Sequence, residues 1–71
     1  MSLEALSPRE REIVRRLADG EPQKAIAADL AISRSAVAIY TARAKAKLGA
    51  RTVVHLAVKW ARLVGTEGRE L

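Results

Sequence analysis

The chain has 71 residues, which allows one small domain over residues 1–71 and excludes anything larger. It contains no cysteine and a single histidine, so a disulfide framework, a thiolate zinc site and a histidine-based metal site are all excluded. No stretch approaches the roughly 18 apolar residues of a membrane span, and the first ten residues lack the order of a secretory signal. We therefore expect a cytoplasmic protein with no membrane partner, no cofactor and no small-molecule ligand.

The positive charge is concentrated in the second half of the chain. The formal net charge is +5, from 13 Lys and Arg against 8 Asp and Glu. Residues 1–32 carry a net charge of −1, whereas residues 33–71 carry eight basic and two acidic side chains. Residues 33–51 contain no acidic residue at all. Such a run is usually only a solvated face, but in so small a domain it points toward an acidic partner.

Glycine and proline divide the chain into predicted helices. Ser7-Pro8-Arg9-Glu10 has the form of a capping box with proline at the first helical position, so a first helix is predicted over residues 8–18, ended by Gly20. After Glu21-Pro22, a second helix is predicted over about residues 23–31. Both segments place apolar residues at helical spacing, whereas strand-like alternation is absent from the chain.

Two further helices follow in the basic half. Ser33 is a suitable N-cap for a third helix over about residues 34–48, ended by Gly49. Thr52 is a suitable cap for a fourth helix over about residues 53–64, ended by Gly65. The remaining tail, residues 65–71, has no apolar pattern and is expected to fray. The sequence therefore predicts an all-α, four-helix domain with its core over residues 6–64.

The short turn between the second and third helices is the most informative feature. Ala27 is small enough to let the third helix approach closely, and Leu30, Ile32 and Val37 are spaced to form a wedge between the two helices. This pattern is typical of a helix-turn-helix, whose second helix enters the major groove of DNA. The competing interpretation is two helices of an ordinary small bundle. The basic residues on and after the third helix favour DNA binding.

Several motifs resemble the DNA-binding domain of LuxR/GerE-type transcriptional regulators. They are LSPREREIV, the ADG before the second helix, KAIAADLAIS, and AKLGAR, and the resemblance covers about residues 6–64. It implies a tetrahelical helix-turn-helix fold, either in a stand-alone, GerE-like regulator of bacterial transcription or in a domain excised from a larger regulator. The fourth region of sigma factors has a similar helix-turn-helix, but the apolar fourth helix favours the LuxR/GerE form.

The sequence departs from the family pattern on the third helix. The usual T-V-K-x-H run reads Ala36-Val37-Ala38-Ile39-Tyr40, so the lysine that faces DNA in relatives is Ala38. The frequent glycine of the turn is Ala31; if this position requires a positive φ, alanine costs roughly 1 kcal/mol there. Lys24 and Lys47 keep family positions. Direct base recognition is therefore expected to be weak, with affinity supplied by phosphate contacts.

The third helix is predicted to bury Val37, Tyr40, Thr41, Ala44 and Leu48. The opposite face, which is predicted to lie in the groove, consists of Ser35, Ala38, Ile39, Ala42, Arg43 and Ala46. On that face Arg43 suits guanine, while Ala38, Ile39 and Ala42 suit thymine methyl groups. The full set of predicted DNA-binding residues is Gln23, Lys24, Arg34, Ser35, Ala38, Ile39, Ala42, Arg43, Lys45, Lys47 and Arg51.

The fourth helix is apolar over more of its circumference than one core contact requires. One stripe is expected to cover the core, and a second strip, flanked by Arg62, is formed by Val54, Val58 and Ala61. The family resemblance implies dimerisation through this helix. The predicted partners are therefore double-stranded DNA and a second copy of the chain, and the expected location is the nucleoid.

The sequence also bears on two other classes of function. An enzyme is not expected, because the sequence offers no paired carboxylates on a shared inward face, no glycine-rich phosphate loop and no nucleophile with a base. The alternative to a DNA-reading regulator is a protein-interaction module. In that case the apolar face around Ile39 docks a larger regulator or an RNA polymerase component.

Overall fold

In the computed structural model, which describes residues 3–67, the chain folds into α-helices joined by short turns. A 3₁₀ turn over Leu3–Ala5 precedes four helices, α1 (Pro8–Ala18), α2 (Gln23–Leu30), α3 (Arg34–Leu48) and α4 (Val53–Glu67). The predicted all-α, four-helix fold is confirmed. The bounds of the first and third helices agree with the prediction, and α2 ends one residue earlier than predicted. The 3₁₀ turn was not predicted, and it buries Leu3 at the edge of the core.

Side-chain caps fix where three of the helices begin. At α1 the Glu10 amide donates to Ser7 Oγ at 3.2 Å, and the Ser7 amide donates to Glu10 Oε1 at 2.9 Å, so the predicted capping box is present. Ser33 Oγ accepts from the Ala36 amide at the start of α3. Thr52 Oγ1 accepts from the His55 amide at the start of α4. These caps satisfy backbone donors that the first helical turn leaves unpaired.

The turn between α2 and α3 depends on one residue in the left-handed region. Ala31 has φ 56° and ψ 42°, and its neighbour Ile32 donates its amide to the Ala27 carbonyl at 3.0 Å. The directions of α2 and α3 differ by 109°. This angle lies within the range of helix-turn-helix units, so the predicted motif is formed.

The core consists of two clusters of buried side chains. One joins α1, α2 and α3 through Ile13, Ile26, Ala27 and Val37, with Leu30 and Ile32 packed against it. The predicted wedge of the helix-turn-helix is therefore confirmed. The other cluster joins the N-terminal turn, α1, α3 and α4, and consists of Leu6, Val14, Ala44, Leu48 and Leu56, with Ala50, Trp60 and Leu63 partly buried beside it.

Arg16 ties α1 to α2 from outside the core. Its guanidinium contacts Glu12 at 2.6 Å, Glu21 at 3.2 Å and Asp29 at 2.6 Å, and its side chain is 18% exposed. The pKa of Arg16 is raised above its ordinary value, and the hydrogen bond to Glu12 makes the largest contribution to this shift. Sequence analysis did not identify this cluster of ion pairs, because Glu21 and Asp29 follow α1 and lie up to thirteen residues away along the chain.

The predicted end of the fourth helix is wrong. α4 continues through Gly65 to Glu67, and a Cβ placed at Gly65 would meet nothing within 4 Å. A glycine permits a helix to end but does not require it, and no packed neighbour forces the chain to turn here. The rest of the tail expected to fray, residues 68–71, lies outside the described residues.

Within residues 3–67 no single helix has the length and hydropathy to cross a membrane; only α2 and α3 taken together pass that test, and the 109° bend separates them.

Candidate nucleic-acid interface

The outer face of α3 is a continuous exposed surface. Every residue predicted to face the groove is exposed, namely Ser35, Ala38, Ile39, Ala42, Arg43 and Ala46. On the opposite side of the helix Val37, Thr41, Ala44 and Leu48 are buried and Tyr40 is half-buried. The Thr41 hydroxyl donates to the Val37 carbonyl at 2.8 Å, which satisfies this buried polar group. Four of the six residues on the exposed face are apolar, and Ser35 and Arg43 are its polar members.

The exposed face is organised as an apolar strip between basic residues. We call Ala38, Ile39, Ala42 and Ala46 the apolar strip; Ile39 is its one large residue and is 52% exposed. At about 100° per residue, Arg34 and Lys45 lie along one edge of the strip, and Arg43 and Lys47 lie along the other. A helix with cations on both edges suits a groove that is bounded by phosphates on both sides.

Arg43 is oriented by its neighbour on the preceding helical turn. Its guanidinium carbon lies 6.0 Å from the centroid of the Tyr40 ring. At this distance the ring face attracts the cation, by about 0.5–1 kcal/mol at an exposed site. Tyr40 is half-buried and packs against the core, so its ring is held in place beside the Arg43 guanidinium. Sequence reasoning identified both residues but not their contact.

Lys47 makes an ion pair within the protein. Its ammonium donates to Glu10 Oε1 at 2.8 Å; the Lys47 side chain is 41% exposed and Glu10 is 3% exposed. Burial raises the pKa of Glu10, but Lys47 and the Ser7 amide together outweigh burial and hold that pKa below its ordinary value. Lys47 therefore neutralises a buried carboxylate, a role that the sequence spacing did not reveal.

The start of α2 presents backbone donors beside two predicted contacts. Its N-cap is Pro22, which makes no side-chain hydrogen bond, unlike the capped starts of α1 and α3. Gln23 is half-buried and Lys24 is exposed in this first turn. An uncapped helix start with a lysine favours an anion, since amide groups and positive charge converge there.

Arg51 lies beyond the end of α3, in the link to α4. Its backbone amide donates to His55 Nδ1 at 3.2 Å, which fixes the link, and its side chain is exposed. Gly49, with φ 68°, reverses the chain just before it. Arg51 and the α3 residues Lys45 and Lys47 thus belong to one basic end of the domain.

The outer strip of α4 is exposed as predicted. Val54 is 75% exposed and Val58 42%, and Ala61 and Arg62 are exposed beside them. Leu56 on the opposite side of the helix is fully buried. α4 therefore contributes one face to the core and leaves a second apolar face on the surface.

Comparison with known families identifies this arrangement. The family model GerE, described as bacterial regulatory proteins of the luxR family, matches residues 4–60. The chain belongs to the LuxR family. Members of this family are DNA-binding helix-turn-helix regulators rather than enzymes, so a DNA-binding function holds for this domain at the level of the family. No curated protein and no solved structure matches the chain.

The structure gives a physical meaning to one departure from the LuxR-family pattern. Sequence analysis noted alanine at position 31, where relatives frequently carry glycine. The observed φ of 56° shows that this position takes a conformation that glycine adopts without steric cost. The turn of this LuxR-family domain therefore carries a local strain at Ala31 that glycine would not have.

Proposed function

We propose that this LuxR-family domain is a sequence-selective transcriptional regulator that binds DNA with α3 in the major groove. The observation that carries the proposal is the exposed face of α3, an apolar strip with basic residues along both edges. A major groove about 12 Å wide admits one helix, and its two phosphate backbones then face the two edges. Because α3 crosses α2 at 109°, its outer face projects from the domain rather than lying against it.

The proposed contacts divide into bases and phosphates. Arg43 is the side chain on this face that can bind guanine by two hydrogen bonds, and Ser35 can donate to or accept from a base near the start of α3. Phosphate contacts are assigned to Gln23, Lys24, Arg34, Lys45, Lys47 and Arg51. A phosphate bound by Lys47 shares the ammonium group with Glu10. The Lys47 contact therefore has to form without breaking the ion pair inside the protein.

A second copy of the chain is the proposed partner of α4. Val54 and Val58 expose apolar surface in a domain whose small size limits its core, and Ala61 between helical turns allows close approach. Arg62 borders this strip. Two domains joined this way would present two α3 helices to half-sites about one DNA turn, roughly 34–36 Å, apart on a pseudo-palindromic site.

Charge reversal on α3 tests the mode of binding. We expect the double variant Arg34→Glu, Arg43→Glu to lose binding to duplex DNA, measured by fluorescence anisotropy with a labelled duplex at low salt. Each lost contact is worth about 1–3 kcal/mol, or roughly 5- to 150-fold in affinity. Arg9→Glu, Arg11→Glu is the charge-matched control, because both residues are exposed on α1 and their reversal changes the net charge by the same amount. Equal binding by both variants would contradict the proposal.

One observation favours a second candidate function. A large exposed isoleucine, surrounded by alanines, is also a surface on which a protein can dock. In this alternative the domain antagonises a larger regulator or an RNA polymerase component through the apolar strip. Ile39→Asp would then abolish regulation in cells, while the Arg34→Glu, Arg43→Glu variant would leave regulation intact.

A further inference from the structure

The apolar strip lacks the groups by which proteins usually read bases. Specific contacts in the major groove are mostly hydrogen bonds from Arg, Lys, Asn or Gln to base edges. Ala38, Ile39, Ala42 and Ala46 offer no donor or acceptor from their side chains, yet they form the centre of the face that the basic edges enclose. Whatever this strip recognises in the groove is therefore apolar.

The major groove has one apolar group with which such a strip can pair. Among the four base pairs, only thymine adds a methyl group, at C5, to the major-groove edge. The alanines are small enough to bring the helix backbone close to the groove floor, and Ile39 projects beyond them with half of its surface exposed. The basic edges favour DNA over a protein partner, since they place cations where the phosphates flank the groove.

We infer, on the basis of the proposed function, that α3 recognises a half-site whose centre is defined by thymine methyl groups packed against the apolar strip. From Ala38 to Ala46 the helix rises about 12 Å, which corresponds to three or four base pairs. Ile39 is the specificity-determining residue for these thymines. Arg43, positioned by Tyr40 at the edge of the strip, recognises a guanine at the border of the same half-site.

The test removes the methyl groups without changing base pairing. The full chain is first used to select its preferred site from a random-sequence duplex pool. The selected duplex is then synthesised with deoxyuridine in place of thymidine in the half-sites, and a control duplex carries the same number of deoxyuridines outside them. Affinities for all duplexes are compared at one salt concentration.

The expected result is a selected half-site rich in thymine and a loss of about fourfold in affinity for each contacted methyl group removed. That factor corresponds to about 0.8 kcal/mol per buried methylene-sized group. Ile39→Ala is expected to bind the thymidine duplex more weakly and to respond less to deoxyuridine, whereas Ile39→Val keeps the response. Because Ile39 is exposed on α3, both variants are expected to retain the helical circular dichroism of the unmodified chain.

The outcomes separate this inference from the function on which it rests. A selected site that binds equally well with thymidine and deoxyuridine would overturn the inference and leave DNA binding by α3 in place. The inference also fails if Ile39→Ala responds to deoxyuridine as strongly as the unmodified chain does. Absence of binding to any duplex at low salt would overturn the proposed function itself.

Discussion

The Lys47 ammonium lies 2.8 Å from Glu10 Oε1, across 37 positions of the chain. This pair joins the last turn of α3 to the first turn of α1. Glu10 is buried and also completes the capping box with Ser7, so one carboxylate both starts α1 and anchors the helix that presents the proposed interface. The stability of the fold and the placement of α3 are therefore coupled through this contact.

Removal of Lys47 is expected to destabilise the domain because it leaves a buried carboxylate without its cation. We predict that Lys47→Met lowers the free energy of unfolding by about 1–3 kcal/mol, a large part of the roughly 4–10 kcal/mol expected for a chain of this length. Urea unfolding measures the change. Lys45→Met is the control: it removes a charge from the same helical turn but not the Glu10 pair, and we expect a change within about 0.5 kcal/mol. Equal effects of the two variants would contradict the assigned role of the pair.

The pair also predicts how stability depends on pH. The folded state holds the pKa of Glu10 below the ordinary value of 4.5, so it binds fewer protons than the unfolded chain as the pH falls. The stabilisation that ionised Glu10 contributes is therefore complete above about pH 4.5. It is lost as the pH falls through the pKa of Glu10 in the folded state, which is lower. Hydrogen bonds from Arg16 and Arg15 lower the pKa of Glu12 as well, and its contribution has the same sign.

Thermal unfolding between pH 7 and pH 3 tests this dependence. We expect Glu10→Gln to show a smaller loss of stability with acid than the unmodified chain, and Glu10→Gln combined with Glu12→Gln to show the smallest loss. If Glu10→Gln follows the same curve as the unmodified chain, shifted only by a constant, the account of Glu10 is wrong.

The strained turn residue offers a stabilising substitution. Ala31 has φ 56°, and the left-handed region costs a residue with a Cβ about 1–2 kcal/mol, part of which the greater flexibility of glycine in the unfolded chain offsets. We predict that Ala31→Gly raises the free energy of unfolding by roughly 0.5–1 kcal/mol. Ala28→Gly, an exposed position inside α2, is the matched control and should lower it by about the same amount. A loss of stability in Ala31→Gly, as measured by urea unfolding, would contradict the assignment of strain.

The proposed dimer predicts that changes on α4 abolish self-association without changing how α3 binds DNA. Val54→Glu and Val58→Glu place charges on an exposed strip, so the fold is expected to persist while self-association is lost. Sedimentation should report a monomer for these variants and a dimer for the unmodified chain. Affinity for a two-half-site duplex should fall, while affinity for a single half-site stays unchanged, because α3 is intact. A monomer for the unmodified chain at the concentrations used for DNA binding would refute the dimer.

Much of the fold could be predicted because its signals are local. Ser7 with Glu10, and Ser33 and Thr52, cap the helix starts from within one turn, and Gly20 and Gly49 adopt the positive φ expected of helix ends. The face of α3 follows from the 3.6-residue period alone. These features depend on residues a few positions apart, which the sequence displays directly.

The features that sequence analysis missed depend on contacts between distant segments. The Lys47–Glu10 pair and the Arg16–Asp29 pair exist only once α1, α2 and α3 have packed, and nothing in the spacing of these charges selects their partners. The extension of α4 past Gly65 was missed for a different reason. A glycine signals a helix end only where a turn needs its conformation, and here the backbone stays helical.

The most direct test of the central claim is a titration of the protein against duplex DNA at about 50 and about 200 mM salt, with the mass in solution recorded alongside. A dimer that contacts roughly 6–10 phosphates should lose about 10³- to 10⁵-fold in affinity over this range, because each contact releases counterions. A loss of this size together with a dimer mass is the result that our account predicts. No binding at about 50 mM salt, or an affinity that does not change with salt, would contradict it.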